Sequence, residues 1–502
     1  LLPPKSIPSN LIASTMLRTR TLARLITTNT RSFSNGSTVP TVHIKIHHEQ
    51  SSSSSSSSST PLPTHTLDFQ ITPQWSETYE LISVEGDGTN VTTTGNIDAT
   101  ERHLKLDVHV PADARESSIN LALPQRCHVT MMGSRTTNLL HQINVGGGSG
   151  HLEGDLTVYI PNGDIHVQKA RGEHIELRTA KGGVHIKSVL EGLNADISST
   201  TGCTAKRIMG ENVTVRVSGG RVDGGNAGQG GNDGTNNIHI AAMYGGQFFL
   251  QSPQGSVNVE TAQVHTLDVR SGGKDGIRVG GMSGNIVAYA MNGDTIDNQG
   301  SAPMAKEGTA DGVADLHVNF DQLVPATSPR SPNKTYGDGD GDDAASDSAP
   351  PVQDRSLLRA DGNVYVALND ETPFAVQVDL KSQSNGIVLP LDYSATGAPA
   401  LGRQAQVSKA KTALFEPIED TALLNEGRMI GLLRSAPVKK SRASNSGGSG
   451  KINMAGGNDL MGLSGEDKNG ALTVMAEGVV EVAIHGWMDR IKQKYLGREE
   501  EE

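Results

Sequence analysis

The stretch Asn162-Gly163-Asp164-Ile165-His166-Val167, followed by Gly182-Gly183-Val184-His185-Ile186 and Thr201-Gly202-Cys203-Thr204, decides the fold. A small apolar residue returns every nineteen positions, at Ile165, Val184, Cys203 and Val222, each just behind a glycine at 163, 183, 202 and 220. A period of about 20 residues marks stacked repeats, because one short repeat cannot cover its own apolar face and must bury it on the next. Side chains two apart share a face of a strand, so Ile165 and Val184 point inward with Val167 and Ile186, while His166 and His185 point outward.

A second strand follows about ten residues later in each repeat: Ile175-Glu176-Leu177, Leu193-Asn194-Ala195-Asp196-Ile197 and Val213-Thr214-Val215-Arg216-Val217. Beyond a glycine-rich interruption the pattern resumes at Gly255-Ser256-Val257-Asn258-Val259, Leu267-Asp268-Val269, Gly276-Ile277-Arg278-Val279 and Gly284-Asn285-Ile286-Val287-Ala288. The expected fold is all-β: a single-stranded parallel β-helix, or β-solenoid, with coils of about 18–20 residues, a disordered N-terminal leader and loop insertions.

Composition agrees. With 3% aromatic residues and 58 glycines in 502 residues, thin aliphatic stacks suit this chain better than a large aromatic core. Of a net charge of −12, residues 1–33 contribute five positive charges (Lys5, Arg18, Arg20, Arg24, Arg31) and no acid, which leaves −17 for the rest. Such a body lacks the basic footprint of a nucleic-acid binder. Two cysteines, Cys127 and Cys203, exclude a disulfide framework but leave room for one bridge.

Reading from Met16, the segment Met16 to Ile26 is rich in Arg and Thr, and no acid appears before Glu49. Leu22, Leu25 and Ile26 fall opposite Arg20 and Arg24 on a helical wheel, the pattern of a mitochondrial transit peptide. Arg31, Phe33 and Ser34 form the expected processing site, with cleavage after Phe33 and a matrix address. No run of about 18 apolar residues is present, so no transmembrane helix is expected.

Residues 34–68, with the unbroken run Ser51 to Ser59, read as a disordered linker. The solenoid is expected over 69–325, with its core at 155–300. An acidic insertion follows at 326–356, further coils at 357–434, a Gly/Ser-rich insertion at 435–468, and a closing strand with a cap at 469–502. Trp487-Met488-Asp489-Arg490-Ile491 is expected to begin a short terminal helix.

The stretch 155–300, with its Asn162-Gly163-Asp164-Ile165 and Asn292-Gly293-Asp294-Thr295-Ile296 turns and repeated Gly-x-Val-x-Val strands, resembles an adhesin-like β-solenoid domain family of unknown function. With the leader and the C-terminal strand Gly478 to Ile484, the whole chain is similar to that family's eukaryotic family-with-sequence-similarity-185 group. The resemblance implies a β-solenoid and, by its label, surface binding; it supplies no catalytic residues.

Three constellations carry chemical interest. The run Gly337-Asp338-Gly339-Asp340-Gly341-Asp342-Asp343 alternates carboxylates that could take Ca²⁺, but an EF-hand counted from Asp338 needs Gly at position six and Glu at position twelve, where Asp343 and Ala349 stand. A solvated acidic loop is the expectation. His166 and His185 lie on adjacent outer positions, continued by Thr204 and Asp223, and a zinc site would want three or four convergent ligands. The outward acids Asp164, Glu176, Asp196 and Asp268 are scattered among other polar residues rather than paired as a hydrolytic solenoid requires. No catalytic residue, cofactor or metal is expected. The reading is a mitochondrial protein-interaction or scaffold module with protein partners, ahead of a carbohydrate-active enzyme or a surface adhesin.

Overall fold

The computed structural model describes residues 39–48, 65–76, 78–86, 88–97, 102–111, 115–134, 139–146, 150–219, 236–291, 313–322, 355–369, 375–384, 386–389, 413–417, 427–435 and 470–485. The fold is all-β, and the described residues contain no helix. In chain order the strands are β1 (Thr41–His48), β2 (His65–Gln74), β3 (Glu80–Glu85), β4 (Asn90–Ile97), β5 (Arg102–Val110), β6 (Glu116–Pro124), β7 (His128–Met132), β8 (Leu139–Val145) and β9 (Leu152–Glu153). Then come β10 (Leu156–Ile160), β11 (Gly163–Thr179), β12 (Gly183–Ser199), β13 (Gly202–Ala205), β14 (Ile208–Val217), β15 (Asn237–Ser252), β16 (Val257–Ser271), β17 (Ile277–Ala290) and β18 (Leu316–Gln322). The last are β19 (Arg355–Ala360), β20 (Val364–Asn369), β21 (Ala375–Ser382), β22 (Ile387–Val388), β23 (Ala413–Pro417), β24 (Arg428–Ser435), β25 (Gly470–Ala476) and β26 (Val480–His485).

The long strands bend. Residues 163–167 of β11 pair in parallel with β8, residues 170–171 with β9, and residues 175–179 with β10. One continuous strand thus serves two ladders, joined through a short middle segment. A column of glycines, Gly172, Gly192, Gly210 and Gly245, follows that middle segment from rung to rung. At Gly245 the backbone is left-handed (φ 139°), and a Cβ would overlap the carbonyl oxygen of Gly210. Only glycine lets neighbouring backbones approach this closely.

The first ladder stacks β6, β2, β8, the leading parts of β11 and β12, β13, the leading parts of β15, β16 and β17, and then β18, β20 and β26. The second stacks β5, β1, β7, β10, the trailing parts of β11 and β12, β14, the trailing parts of β15, β16 and β17, and then β19, β25 and β21. Antiparallel strands lie on the ends: β3 on β6, β4 on β5, and β24 on β21 with β23 beyond it. Reversed strands cover edges that would otherwise template further parallel pairing.

Inward side chains form continuous columns. Ile143, Ile165, Val184, Cys203, Ile238, Val257, Ile277, Leu316, Val364 and Val480 succeed one another on neighbouring rungs, and all are buried. Each such aliphatic side chain contributes about 1.5–3 kcal/mol by leaving water. Both cysteines are free and buried, and burial pushes their thiols up to about 12.

Two expectations need correction. The rung after Cys203 is Ile238, not Val222, which lies outside the described residues; the chain between 220 and 235 separates two neighbouring rungs in sequence without separating them in space. Residues 41–48, assigned to the linker, form β1, which pairs in parallel with β5 and β7. Val42, Ile44 and Ile46 alternate with polar residues and bury completely, so the period-two pattern outweighs the polar composition around it. The fold therefore starts well before Phe69. It also takes up Arg355 and Ser356 in β19, two residues before the end assigned to the acidic insertion.

Candidate functional site

Outward positions form columns too. On the first ladder one column runs Asn144, His166, His185, Thr204, His239, Asn258, Arg278, His317 and Tyr365. His166 and His185 stack with ring centroids 4.9 Å apart, and His185 Nδ1 lies 2.8 Å from the Thr204 hydroxyl. Burial, then the neighbouring His185, holds His166 below the ordinary histidine value. The position after Thr204 belongs to His239 rather than Asp223, and His239 lies 4.0 Å from Glu260 instead of closing on the histidine pair. Among the described residues no group of three or more His, Cys, Asp or Glu side chains is placed to hold a metal ion. Asp164 accepts a hydrogen bond from the Gly183 backbone at 2.7 Å, joining one rung to the next.

The second ladder's outward face is chemically richer. Its outermost column runs Met132, Tyr159, Arg178, Ser198, Arg216, Gln251, Arg270, Tyr289, Arg359, Met475 and Lys381. From Arg178 onward a cation stands on every second rung, roughly 9.6 Å apart at the ordinary strand spacing. The column beside it, two residues earlier on each strand, runs Thr130, Thr157, Glu176, Asp196, Thr214, Phe249, Asp268, Val287, Leu357, Thr473 and Asp379. From β11 to β21 every charge in the first column is positive and every charge in the second is negative; on β1 and β5 the first column continues as Lys45 and Asp107 and the second as His43 and Lys105, so the segregation ends there.

The two columns hold each other. Arg178 donates to Asp196 at 2.7 Å and pairs with Glu176 at 2.8 Å. Its pKa is raised, first by the hydrogen bond to Asp196 and then by Glu176. Arg270 grips Asp268 through both Nε (3.2 Å) and Nη2 (3.0 Å). Arg216 and Arg270 lie over the Phe249 ring at 5.4 and 5.3 Å, and Arg270 also lies 5.8 Å from the Tyr289 ring. Cation–π contacts of this kind stabilise by about 0.5–1 kcal/mol each at exposed sites. Three large apolar side chains of this column are exposed: Met132 (52%), Tyr159 (41%) and Met475 (38%).

The structure brings Ile165, Val184 and Cys203 onto successive rungs and places His166 beside His185. It sets Glu176 and Asp196 on neighbouring rungs, with Arg178 bonded to both. Arg31, Phe33, Ser34 and Asp338 to Asp343 lie outside the described residues. The arginine column escapes sequence reading because residues 178, 216, 270 and 359 follow no fixed interval. Its only trace is an arginine directly after an apolar residue late in the second strand of a repeat, as in Leu177-Arg178, Val215-Arg216, Val269-Arg270 and Leu358-Arg359.

No protein-family model, no curated protein and no solved structure matches this chain.

Proposed function

We propose that this chain is a parallel β-solenoid that acts, without a cofactor, as a mitochondrial protein-interaction module. The observation that carries the reading is the outward face of the second ladder, where arginine, tyrosine, phenylalanine and methionine concentrate on consecutive rungs. Those residue types are enriched at the centres of protein interfaces and dominate their binding energy. The acids Glu176, Asp196 and Asp268 bond arginines of their own chain instead of converging as a pair, which favours recognition over general acid catalysis. The nineteen-residue offset between paired rungs supports the solenoid, and the resemblance to adhesin-like domains agrees with surface binding. The basic leader from Met16, with Arg31, Phe33 and Ser34, supports the mitochondrial address.

Proximity labelling from a C-terminal tag, read together with the mature N-terminus by mass spectrometry, tests this. A new terminus at or near Ser34 with matrix proteins labelled is the expected outcome. An intact leader with cytosolic or cell-surface neighbours would contradict the address.

A further inference from the structure

We propose that the partner on this face is a second copy of the same chain, docked about a two-fold axis that runs along the stacking direction. The proposal rests on the interaction-module reading and adds its occupant. From β11 to β21 the charges on one side of the face are all cations, Arg178, Arg216, Arg270, Arg359 and Lys381, and those on the other are all acids, Glu176, Asp196, Asp268 and Asp379. A two-fold axis along the stack carries the acidic column of one copy over the cationic column of the other, rung on rung. An axis along the strands would lay acid on acid. An isologous contact needs a surface complementary to itself, and this face has that property.

The same axis sets Arg178 against Glu176 of the partner subunit, Arg270 against Asp268 of the partner subunit and Lys381 against Asp379 of the partner subunit. Between these three charged rungs it sets Arg216 against Thr214 of the partner subunit, Tyr289 against Val287 of the partner subunit and Arg359 against Leu357 of the partner subunit. Arg270, held by Asp268 and the Phe249 ring, and Arg216, near Asp196 and over the same ring, lose little side-chain freedom on docking, which lowers the entropic cost of association. From β7 to β21 the face is about 48 Å long and about 15 Å wide, roughly 720 Å² per copy, near the ~800 Å² of a standard interface. A polyanionic partner fits less well, because the acid column runs the length of the cation column and the chain carries a net −12.

Sedimentation equilibrium on the full chain tests the proposal with two variants. Arg270→Asp puts two acids on one rung of both copies and is expected to weaken dimerisation at least about tenfold. Asp268→Arg combined with Arg270→Asp exchanges the columns at that rung, keeps the ion pair within the chain, and is expected to restore dimerisation to within about threefold of the parent. Circular dichroism confirms that each variant is folded. A parent chain that stays monomeric at about 100 μM, or a folded exchange variant as weak as the single one, overturns the proposal. If the monomeric parent still cross-links through this face to another mitochondrial protein, the second copy is ruled out while the interaction module survives; if it cross-links to nothing, both readings fall.

Discussion

The hydroxyl of Thr179 donates to the carbonyl oxygen of Gly163, sixteen residues earlier, at 2.7 Å. The bond joins the end of a long bent strand to its own beginning. Ser271 repeats it with Gly255, again sixteen residues back, at 2.8 Å, and Ser252 repeats it with Asn236. A buried hydroxyl recurs because the chain's return leaves a carbonyl facing the interior, and an unmet buried carbonyl is costly.

Thr179→Val is expected to cost about 1–3 kcal/mol, since the carbonyl left behind is cut off from water, and Ser271→Ala about 1 kcal/mol, since the Gly255 carbonyl keeps the backbone N–H of Gly273 at 3.2 Å. Urea unfolding checks this, with the midpoint falling and the slope unchanged. An unchanged midpoint would show that the closing bond contributes nothing.

Gly245 and Gly192 share a column but differ in what surrounds them. Gly245→Ala is expected to cost about 3 kcal/mol, because of its positive φ and the overlap with the Gly210 carbonyl. At Gly192 the new methyl would meet the Cδ1 end of Ile175 at 3.2 Å, which can move, so about 1 kcal/mol is expected. Equal thermal shifts for the two would argue against the close backbone approach.

These sites show what was legible beforehand. The apolar register at Ile165, Val184 and Cys203 is local in sequence, and period-two alternation fixes which face each residue takes. Val222 keeps the arithmetic period, yet Ile238 takes the rung, because repeats are held by hydrogen bonding between backbones and tolerate any length of chain between them. The same tolerance hides the arginine column, whose members come together through register alone. β1 was masked by its surroundings, a basic leader on one side and a serine run on the other.

Cys127 and Cys203 sit in the interior with their thiols pushed up to about 12 by burial. Neither is expected to react with a maleimide or a disulfide reagent at pH 8 in the folded chain, and both should react in urea, because only the thiolate attacks. Fast labelling of Cys203 under native conditions would mean that its column is open.

The fold is expected to lose stability in mild acid. His141 is fully buried with Nε2 unbonded, and burial depresses its pKa; burial likewise depresses His166 and His317. Unfolded histidine takes up a proton near pH 6.5, whereas these three resist it while folded, so the unfolded state binds more protons and stability falls as pH drops below about 6.5. Thermal melts at pH 7.5 and 5.5 should show a lower midpoint in acid, and His141→Gln should reduce the difference. A midpoint that rises in acid would contradict the sign.

The role of the second ladder's outward face is tested most directly by placing a benzoylphenylalanine photocross-linker at the exposed Tyr159 and, in a separate chain, at Thr204 on the first ladder. Irradiation of cells expressing each chain should give a discrete cross-linked species from position 159 and none from position 204. Cross-linking from 204 with none from 159 would place the working surface on the histidine-bearing ladder and contradict the interface described above.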